Sequence, residues 1–420
     1  MYIKHLEINN IRSISRFEMN FEEPSGWHVI IGDNGAGKSS VIRSIALALL
    51  GEDDAKALSF SEDFANWLPT QVETGTVLIQ ATRDNKYDMP SYKPSPKISS
   101  EILIQRINGN GKVTVTGKLN PQNALWGQYS SNNGWFVAAY GPFRRLRGNS
   151  ESVVSSRPRL GACITAFRDD IALTQLTEWL KNLALDQKRK PKAKKNLQGI
   201  ISFINSSQLL PGGARLTDDI DSEGIKLLDG NNVRVSLQEM SDGFRSILSM
   251  ILDIIRYMIE VYGSEKVFKS SNIGKIELPG VVLIDEVDAH LHPTWQTRIG
   301  QWFTKFFPNI QFIVTTHSPL VCRACERGSI WRLAAPGSDY ISGQVDNISK
   351  QRLIFGNILD AYGTEVFGDD VSQSEDAEKI LSELAQLNVK SFKGTITTEE
   401  QQRMKTLKAI LPTAGYDTTK

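Results

Sequence analysis

Short unbroken apolar runs, each closed by small or acidic residues, alternate along this chain with longer stretches whose apolar residues recur every three to four positions. Trp27 to Ile31, Val281 to Ile284 and Phe312 to Thr315 are the clearest runs. Apolarity sustained over so few residues predicts parallel strands buried on both faces. Ser39 to Leu50 follows the first run with helical spacing, and EMSDGFRSILSMILDIIRYMIE predicts a long amphipathic helix opening at Ser241. Further strands are predicted at Thr76 to Thr82, Glu101 to Ile107 and Lys112 to Gly117. Between them Asp88 to Ser100, rich in Pro, Ser and Lys, reads as a surface loop. A helical pattern holds from about Cys163 to Leu210 and returns after about Asn347, through LIFGNILDAYG and SEDAEKILSELAQL, with an acidic link at Asp369 to Asp376. The predicted fold class is α/β in two lobes, a mixed sheet around one helix plus a helical lobe, with a short helical C-terminal appendage.

Between the first strand and its helix, GDNGAGKSS places Gly32, Gly37, Lys38 and Ser39 in the pattern G-x-x-x-x-G-K-[ST], in the strand-to-helix context that pattern needs. Glycines there let successive backbone N–H groups turn inward around phosphate, and the helix N-terminus adds a favourable dipole. Asn34, Gly35, Ala36, Gly37 and Ser40 complete the predicted cradle; Lys38 is the predicted partner of the β- and γ-phosphates, and Ser39 a ligand of Mg²⁺. The implied ligands are ATP and Mg²⁺.

The run Val281 to Ile284 ends in Asp285 and Glu286. Adjacent carboxylates at the carboxyl end of a buried strand need a cation or a proton partner, since isolated buried charge is costly. Asp285 is assigned to Mg²⁺ through water, and Glu286 to orienting and deprotonating the attacking water. His317 leaves the next strand on the same edge and is assigned to the γ-phosphate or the water.

Ser241 and Gly243 open the long helix, and a hydroxyl, a glycine and a helix dipole make a second phosphate-binding end. One site does not need two such ends from one subunit. The arrangement resembles the ABC-type ATPases, where S-x-G contacts the γ-phosphate held by the opposite subunit, so that two copies sandwich two nucleotides. Within them the chain is most similar to the soluble group containing RecF, Rad50, SMC and OLD-type ATPases. HLEINNIRSISRFEMNF resembles their N-terminal strand pair, which implies that Arg12 approaches the nucleotide; LIDEVDAHLHP and FIVTTHSPLV resemble the OLD-like ending and the histidine switch. The resemblance covers roughly residues 1 to 333. It implies a homodimer or a larger even-numbered homo-oligomer, and a head domain over 1–346 with a helical lobe at about 155–215, followed by a helical region at 347–420 for partner or oligomer contact.

Two departures from that pattern matter. No convincing counterpart is found after the first lobe to the glutamine with which these enzymes sense Mg²⁺ and water; the segment WFVAAYGPFRRLRG offers Tyr140, Arg144 and Arg145 instead, and Arg144, Arg145 and Arg147 fit either nucleotide phosphate or pairing with acids. His292 stands where many relatives carry an aspartate. Slow, switch-like turnover is expected.

Composition adds constraints. With 48 Lys and Arg against 47 Asp and Glu, the net charge of +1 gives no global electrostatic case for nucleic acid, so any such contact is local. The local candidate is KRKPKAKK, Lys188 to Lys195, read as a loop between helices or a nucleic-acid contact. Three cysteines, Cys163, Cys322 and Cys325, are too few for a disulfide framework, and no second pair completes a zinc site around Cys322 and Cys325. No apolar run reaches the roughly 20 residues of a membrane span. A cytoplasmic protein without membrane contact is expected.

Neither the acidic constellation of a TOPRIM nuclease nor an HNH zinc arrangement is present, so no nuclease activity of its own is expected, and cleavage would come from another polypeptide. An OLD-like ATPase without a nuclease half resembles the stand-alone ATPases of the anti-phage Septu and retron systems, which implies an HNH nuclease subunit as partner. A PARIS-like ATPase holding a TOPRIM effector, a RecF-like DNA-repair clamp and a scaffold that keeps nucleotide for structure are the competing readings.

Overall fold

The computed structural model describes residues 1–59, 62–84, 86–88, 97–107, 113–118, 135–144, 157–169, 174–221, 224–269, 274–338, 340–356 and 375–410. Contacts divide the chain into Met1–Ala361 and Tyr362–Lys420. In the first unit, β1 (Tyr2–Ile11) and β2 (Ile14–Asn20) pair antiparallel. The wholly buried β3 (Gly26–Ile31) then leads into α1 (Lys38–Leu50), and α2 (Glu52–Leu58) follows. β4 (Thr74–Thr82), β5 (Lys97–Arg106) and β6 (Val113–Lys118) extend the first pair into an antiparallel sheet of order β2-β1-β4-β5-β6.

Residues 97–100 correct the expected surface loop. They begin β5, where Ile98 is paired with Ala81 and buried, and the buried Ser100 donates its hydroxyl to the Ala48 carbonyl at 2.6 Å. A ladder partner on one side and helix packing on the other outweigh a Pro-, Ser- and Lys-rich composition. Asp88, at the other end of that stretch, is also buried; residues 89–96 lie outside the described residues.

Beyond β7 (Val137–Tyr140) come α3 (Pro158–Cys163), α4 (Thr174–Asp186) and α5 (Pro191–Ser206), and then a small antiparallel sheet of β8 (Arg215–Asp221), β9 (Gly224–Leu228) and β10 (Arg234–Ser236). The basic run is not a loop throughout. Pro191 fixes the first turn of α5, where its missing N–H costs nothing, so residues 191–195 are helical and only 188–190 link the helices.

The long α6 (Asp242–Tyr262) and short α7 (Ser264–Val267) precede β11 (Gly280–Ile284), α8 (Pro293–Phe306), β12 (Ile310–Thr315), β13 (Ile330–Arg332), β14 (Gly343–Gln344) and α9 (Asn347–Phe355). The second large sheet has the order β14-β13-β3-β12-β11-β7, parallel except for β14. Its central strands are buried along their whole length, which accounts for their predominantly apolar sequence.

α1 lies in the core that both large sheets share, with Val41, Ile42, Ile45, Leu47 and Leu49 fully buried. At ~2 kcal/mol for each such side chain this one helix contributes on the order of 10 kcal/mol of gross hydrophobic stabilisation, an upper bound before chain entropy. Gln311, at 0% exposure in β12, joins the sheets directly: its Oε1 accepts from the Ile3 amide at 2.7 Å, and its Nε2 donates to the Ile3 carbonyl at 3.1 Å.

α9, at the start of the C-terminal region expected from 347, falls within the first unit. Asp346 caps it at the Ile348 and Ser349 amides, and Lys350 donates to the Gly328 carbonyl at 2.7 Å. The acidic link over 369–374 and LDAYG lie outside the described residues. In the second unit α10 (Glu375–Phe392) and α11 (Thr398–Ile410) close on Leu384, Leu387 and Leu407. Arg403 grips Glu383 through two 2.9 Å bonds, and Thr397 and Glu400 bond reciprocally at the start of α11.

Candidate functional site

The predicted phosphate, acidic-pair and histidine segments emerge at the carboxyl ends of three neighbouring parallel strands, β3, β11 and β12, as ligand-binding segments of α/β sheets do. After β3, Gly35 and Gly37 have φ of +80° and +104°, values at which a side chain is strained. Gly37 also has no room for one: a Cβ there would lie 2.7 Å from the Ser13 hydroxyl, on the turn joining β1 to β2. That turn carries Arg12, whose amide donates to the Trp67 carbonyl at 2.7 Å. Its guanidinium lies over the Trp67 ring and 3.6 Å from Glu62, and its pKa is lowered by burial first and Arg43 second.

Lys38 opens α1. Its ammonium donates to the Gly32 and Asp33 carbonyls at 2.7 and 2.9 Å. Burial lowers its pKa, against the opposing pull of Asp285, Glu286, Asp33 and Asp288. Ser39 is half-buried and Ser40 buried, whereas Asn34 and Gly35 are exposed.

Asp285 is 2% exposed, and its Oδ1 accepts from the Thr315 hydroxyl at 2.5 Å. That same oxygen of Thr315 accepts from the Glu286 amide at 2.7 Å, so one buried threonine fixes both members of the acidic pair. Glu286 adopts φ +46°, uncommon for a residue with a side chain and expected where surrounding structure over-determines the backbone. Thr316 repeats the device one residue on, donating to Asp288 at 2.5 Å. His317 is exposed at the same edge.

Arg144 resolves the open question about its partners. It is 6% exposed and donates from Nη1 to the Asp285 carbonyl at 3.1 Å, from Nη2 to the Glu286 carbonyl at 3.0 Å, and from Nε to the Ser246 hydroxyl at 3.0 Å. Burial pulls its pKa down to about 10, opposed by Asp285, Asp288 and Glu286. Its bonds go to backbone carbonyls and a hydroxyl rather than to acid side chains. Tyr140, also buried, donates to Asp253 of α6 at 3.1 Å. Arg145 and Arg147 lie outside the described residues.

Ser241 occupies the N-cap position of α6, is exposed, and makes no side-chain capping bond. Gly243 is buried in the first turn, where a Cβ would stand 2.1 Å from the His290 carbonyl oxygen, so this glycine already has a packing role within one subunit. His292 caps α8, its Nδ1 accepting from the Thr294 amide.

Cys322 and Cys325 sit in a buried 3-10 turn, and burial raises both thiols; Cys163 is raised likewise by its buried setting. All three are free and buried, as small packing thiols commonly are. Among the described residues no group of three or more His, Cys, Asp or Glu could hold a metal, and no helix is long and apolar enough to cross a membrane.

Thr315 is the residue the sequence reading missed. At a strand end it has the appearance of a β-branched filler, and its partners stand some thirty positions earlier.

Fold and site together resemble the head of an ABC-type ATPase, with a phosphate loop, an acidic pair and a long helix opening on S-x-G in one polypeptide. Family models described as "AAA domain" and "AAA domain, putative AbiEii toxin, Type IV TA system" match residues 5–205 and 144–323. The chain is similar to the Septu protein PtuA: it is 23% identical over 333 residues to that of Bacillus mycoides, covering 78% of this chain and 40% of the relative. Against PtuA of Bacillus thuringiensis it is 22% identical over 361 residues, 81% of this chain and 76% of the relative. A "Retron Ec83 probable ATPase" of Escherichia coli is 34% identical over 176 residues, 38% of this chain and 31% of the relative. The chain thus spans less than half the length of the first and the last of these.

Proposed function

We propose that this chain is the ATPase subunit of an anti-phage defence complex, and that nucleotide state and head-to-tail pairing of its heads regulate a separate nuclease subunit of HNH type. The likeness to PtuA and to a retron ATPase supports the setting. One observation carries the pairing: the Ser241 hydroxyl is exposed and uncapped at the tip of α6, in a chain that already holds a complete phosphate loop. A free hydroxyl at a helix N-terminus is matched to phosphate, and the phosphate on offer is that of a second copy.

In the nucleotide site, Lys38 is held by carbonyls that phosphate oxygens would replace, and the amides of Asn34 to Ser40 supply the rest of the cradle. Ser39 and Asp285 would hold Mg²⁺, which when bound neutralises charge on the β- and γ-oxygens. Glu286 orients the attacking water and takes its proton, with His317 at the same edge. Turnover is slow, in keeping with Arg144 and His292 at positions where the ABC pattern has other residues, and the chain cleaves no nucleic acid itself.

The test is sedimentation of the Glu286→Gln protein with and without ATP and Mg²⁺. Glu286→Gln is expected to retain ATP and to accumulate as an even-numbered assembly. Ser241→Arg in the same background is expected to stay unpaired, and Lys38→Ala to lose ATP binding. Hydrolysis by Glu286→Gln at the wild-type rate would remove the base assignment; pairing unaffected by Ser241→Arg would remove the head-to-tail arrangement. Salt-sensitive duplex binding by the wild-type chain alone, without a nuclease subunit, would favour the DNA-repair clamp instead.

A further inference from the structure

We propose that Arg144 is a positioning residue that holds Glu286 in its left-handed backbone conformation and ties it to the first turns of α6. The inference rests on the ATPase reading of Glu286 and adds how that residue is held.

Glu286 has φ +46°, and its carbonyl accepts from Arg144 Nη2 at 3.0 Å and from the Ala289 amide at 3.0 Å. The Asp285 carbonyl just before it accepts from Nη1 at 3.1 Å. Two prongs of one planar fork therefore fix two consecutive peptide groups, which sets the backbone direction at Glu286 and so the direction of its side chain. The third bond, from Nε to Ser246 at 3.0 Å, reaches α6 five positions after Ser241. Arg144 and Ser246 are both buried, so water does not compete for these bonds. Asp285, Glu286 and Asp288 face the guanidinium and balance its charge. A lysine, a single point charge on a flexible stem, cannot span three acceptors in one plane.

Two variants test this. Arg144→Lys keeps the charge and loses the fork; Ser246→Ala cuts only the link to α6. For Arg144→Lys, kcat is expected to fall about 100-fold, the usual consequence of misplacing a catalytic group by about 1 Å. The Kd for an ATP analogue with a β,γ-imido bridge is expected to stay within about 3-fold of wild type, because ground-state binding is untouched. Amide exchange of nucleotide-free protein is expected to rise about 10-fold at Val287, Ala289 and Leu291 in Arg144→Lys. In Ser246→Ala it should rise in the first turns of α6 only, with a smaller loss of kcat.

Wild-type kcat in Arg144→Lys, unchanged exchange at 287–291, or analogue binding weakened as much as kcat would each overturn the proposal. If the wild-type protein hydrolyses no ATP, the ATPase reading fails, yet the exchange measurement still decides whether Arg144 holds Glu286.

Discussion

Replacing Thr315 by Val removes one oxygen from a fully buried position and leaves the shape of the side chain almost unchanged. Two groups then lose their partner. The Asp285 carboxylate loses a 2.5 Å donor, a bond to a charged group that contributes ~1.5–3 kcal/mol, and the Glu286 amide loses its 2.7 Å acceptor, which costs about 1–3 kcal/mol for an unsatisfied buried donor. The sum, roughly 2.5–6 kcal/mol, is a large share of the ~5–15 kcal/mol that holds a typical domain. Thr315→Ser keeps both bonds and loses only a methyl group, so it is the control. Urea unfolding should separate Val from Ser by about 2 kcal/mol or more, and the Mg²⁺ concentration that half-saturates hydrolysis should rise ~10–100-fold in Thr315→Val alone, as when a ligand's orienting partner is removed. If Val and Ser variants unfold together and need the same Mg²⁺, Thr315 does not hold the acidic pair and the account of that strand end is wrong.

Gly243→Ala places a methyl group 2.1 Å from the His290 oxygen, so α6 or the 286–291 loop must shift; a loss of about 1–3 kcal/mol in unfolding experiments, with analogue binding retained and hydrolysis reduced, is expected. His28 is buried, its Nε2 against the Pro24 carbonyl and its Nδ1 against the Ser329 hydroxyl, and burial lowers its pKa from 6.5 to about 4. The unfolded chain therefore takes up a proton below pH 6.5 that the native chain refuses until about pH 4, and over that interval (6.5 − 4 = 2.5) about 3 kcal/mol of stability disappears as pH falls. A His28→Gln protein with an equally steep loss between pH 7 and 5 would place the proton uptake elsewhere. Lys188, Lys192 and Lys194 are exposed around the start of α5, where the helix dipole gives them no help. Their combined replacement by Glu should weaken any duplex DNA binding and flatten its salt dependence by up to ~0.9 for each phosphate no longer neutralised, and an unchanged slope would clear this run of a nucleic-acid role.

What the sequence made legible was local. The phosphate loop is nine consecutive residues with fixed spacing, and the strands around the site announce themselves because burial on both faces leaves them mostly apolar. Arg144 could be singled out as a basic residue near the first lobe, but its partners are at 246, 285 and 286, and nothing in a linear pattern tells a guanidinium whether it will meet phosphate, carboxylate or backbone. Gln311 was equally silent: a polar residue in an apolar run signals a strand edge, whereas here it is wholly buried because Ile3, more than 300 positions away, offers both a donor and an acceptor. Residues 97–100 misled for the opposite reason, since their composition is that of a loop and only the ladder with β4 makes them a strand.

The loop from Glu286 to Leu291 is where these separate facts meet. Two of its residues, Glu286 and His290, take left-handed backbone conformations at φ +46° and +64°, a cost of ~1–3 kcal/mol each that neither side chain relieves by itself. The offset comes from outside the loop: Arg144 and Thr315 bind its first peptide groups, Thr316 holds Asp288, and Gly243 packs against the His290 oxygen. A strained segment held at both ends by different elements has few intermediate positions, because relaxing one end releases the bonds that support the other. Glu286 and the tip of α6 are therefore attached to the same loop, and under the proposed pairing a push on Ser241 from a second head would reach Glu286 through this loop and the Arg144–Ser246 bond rather than through the sheet.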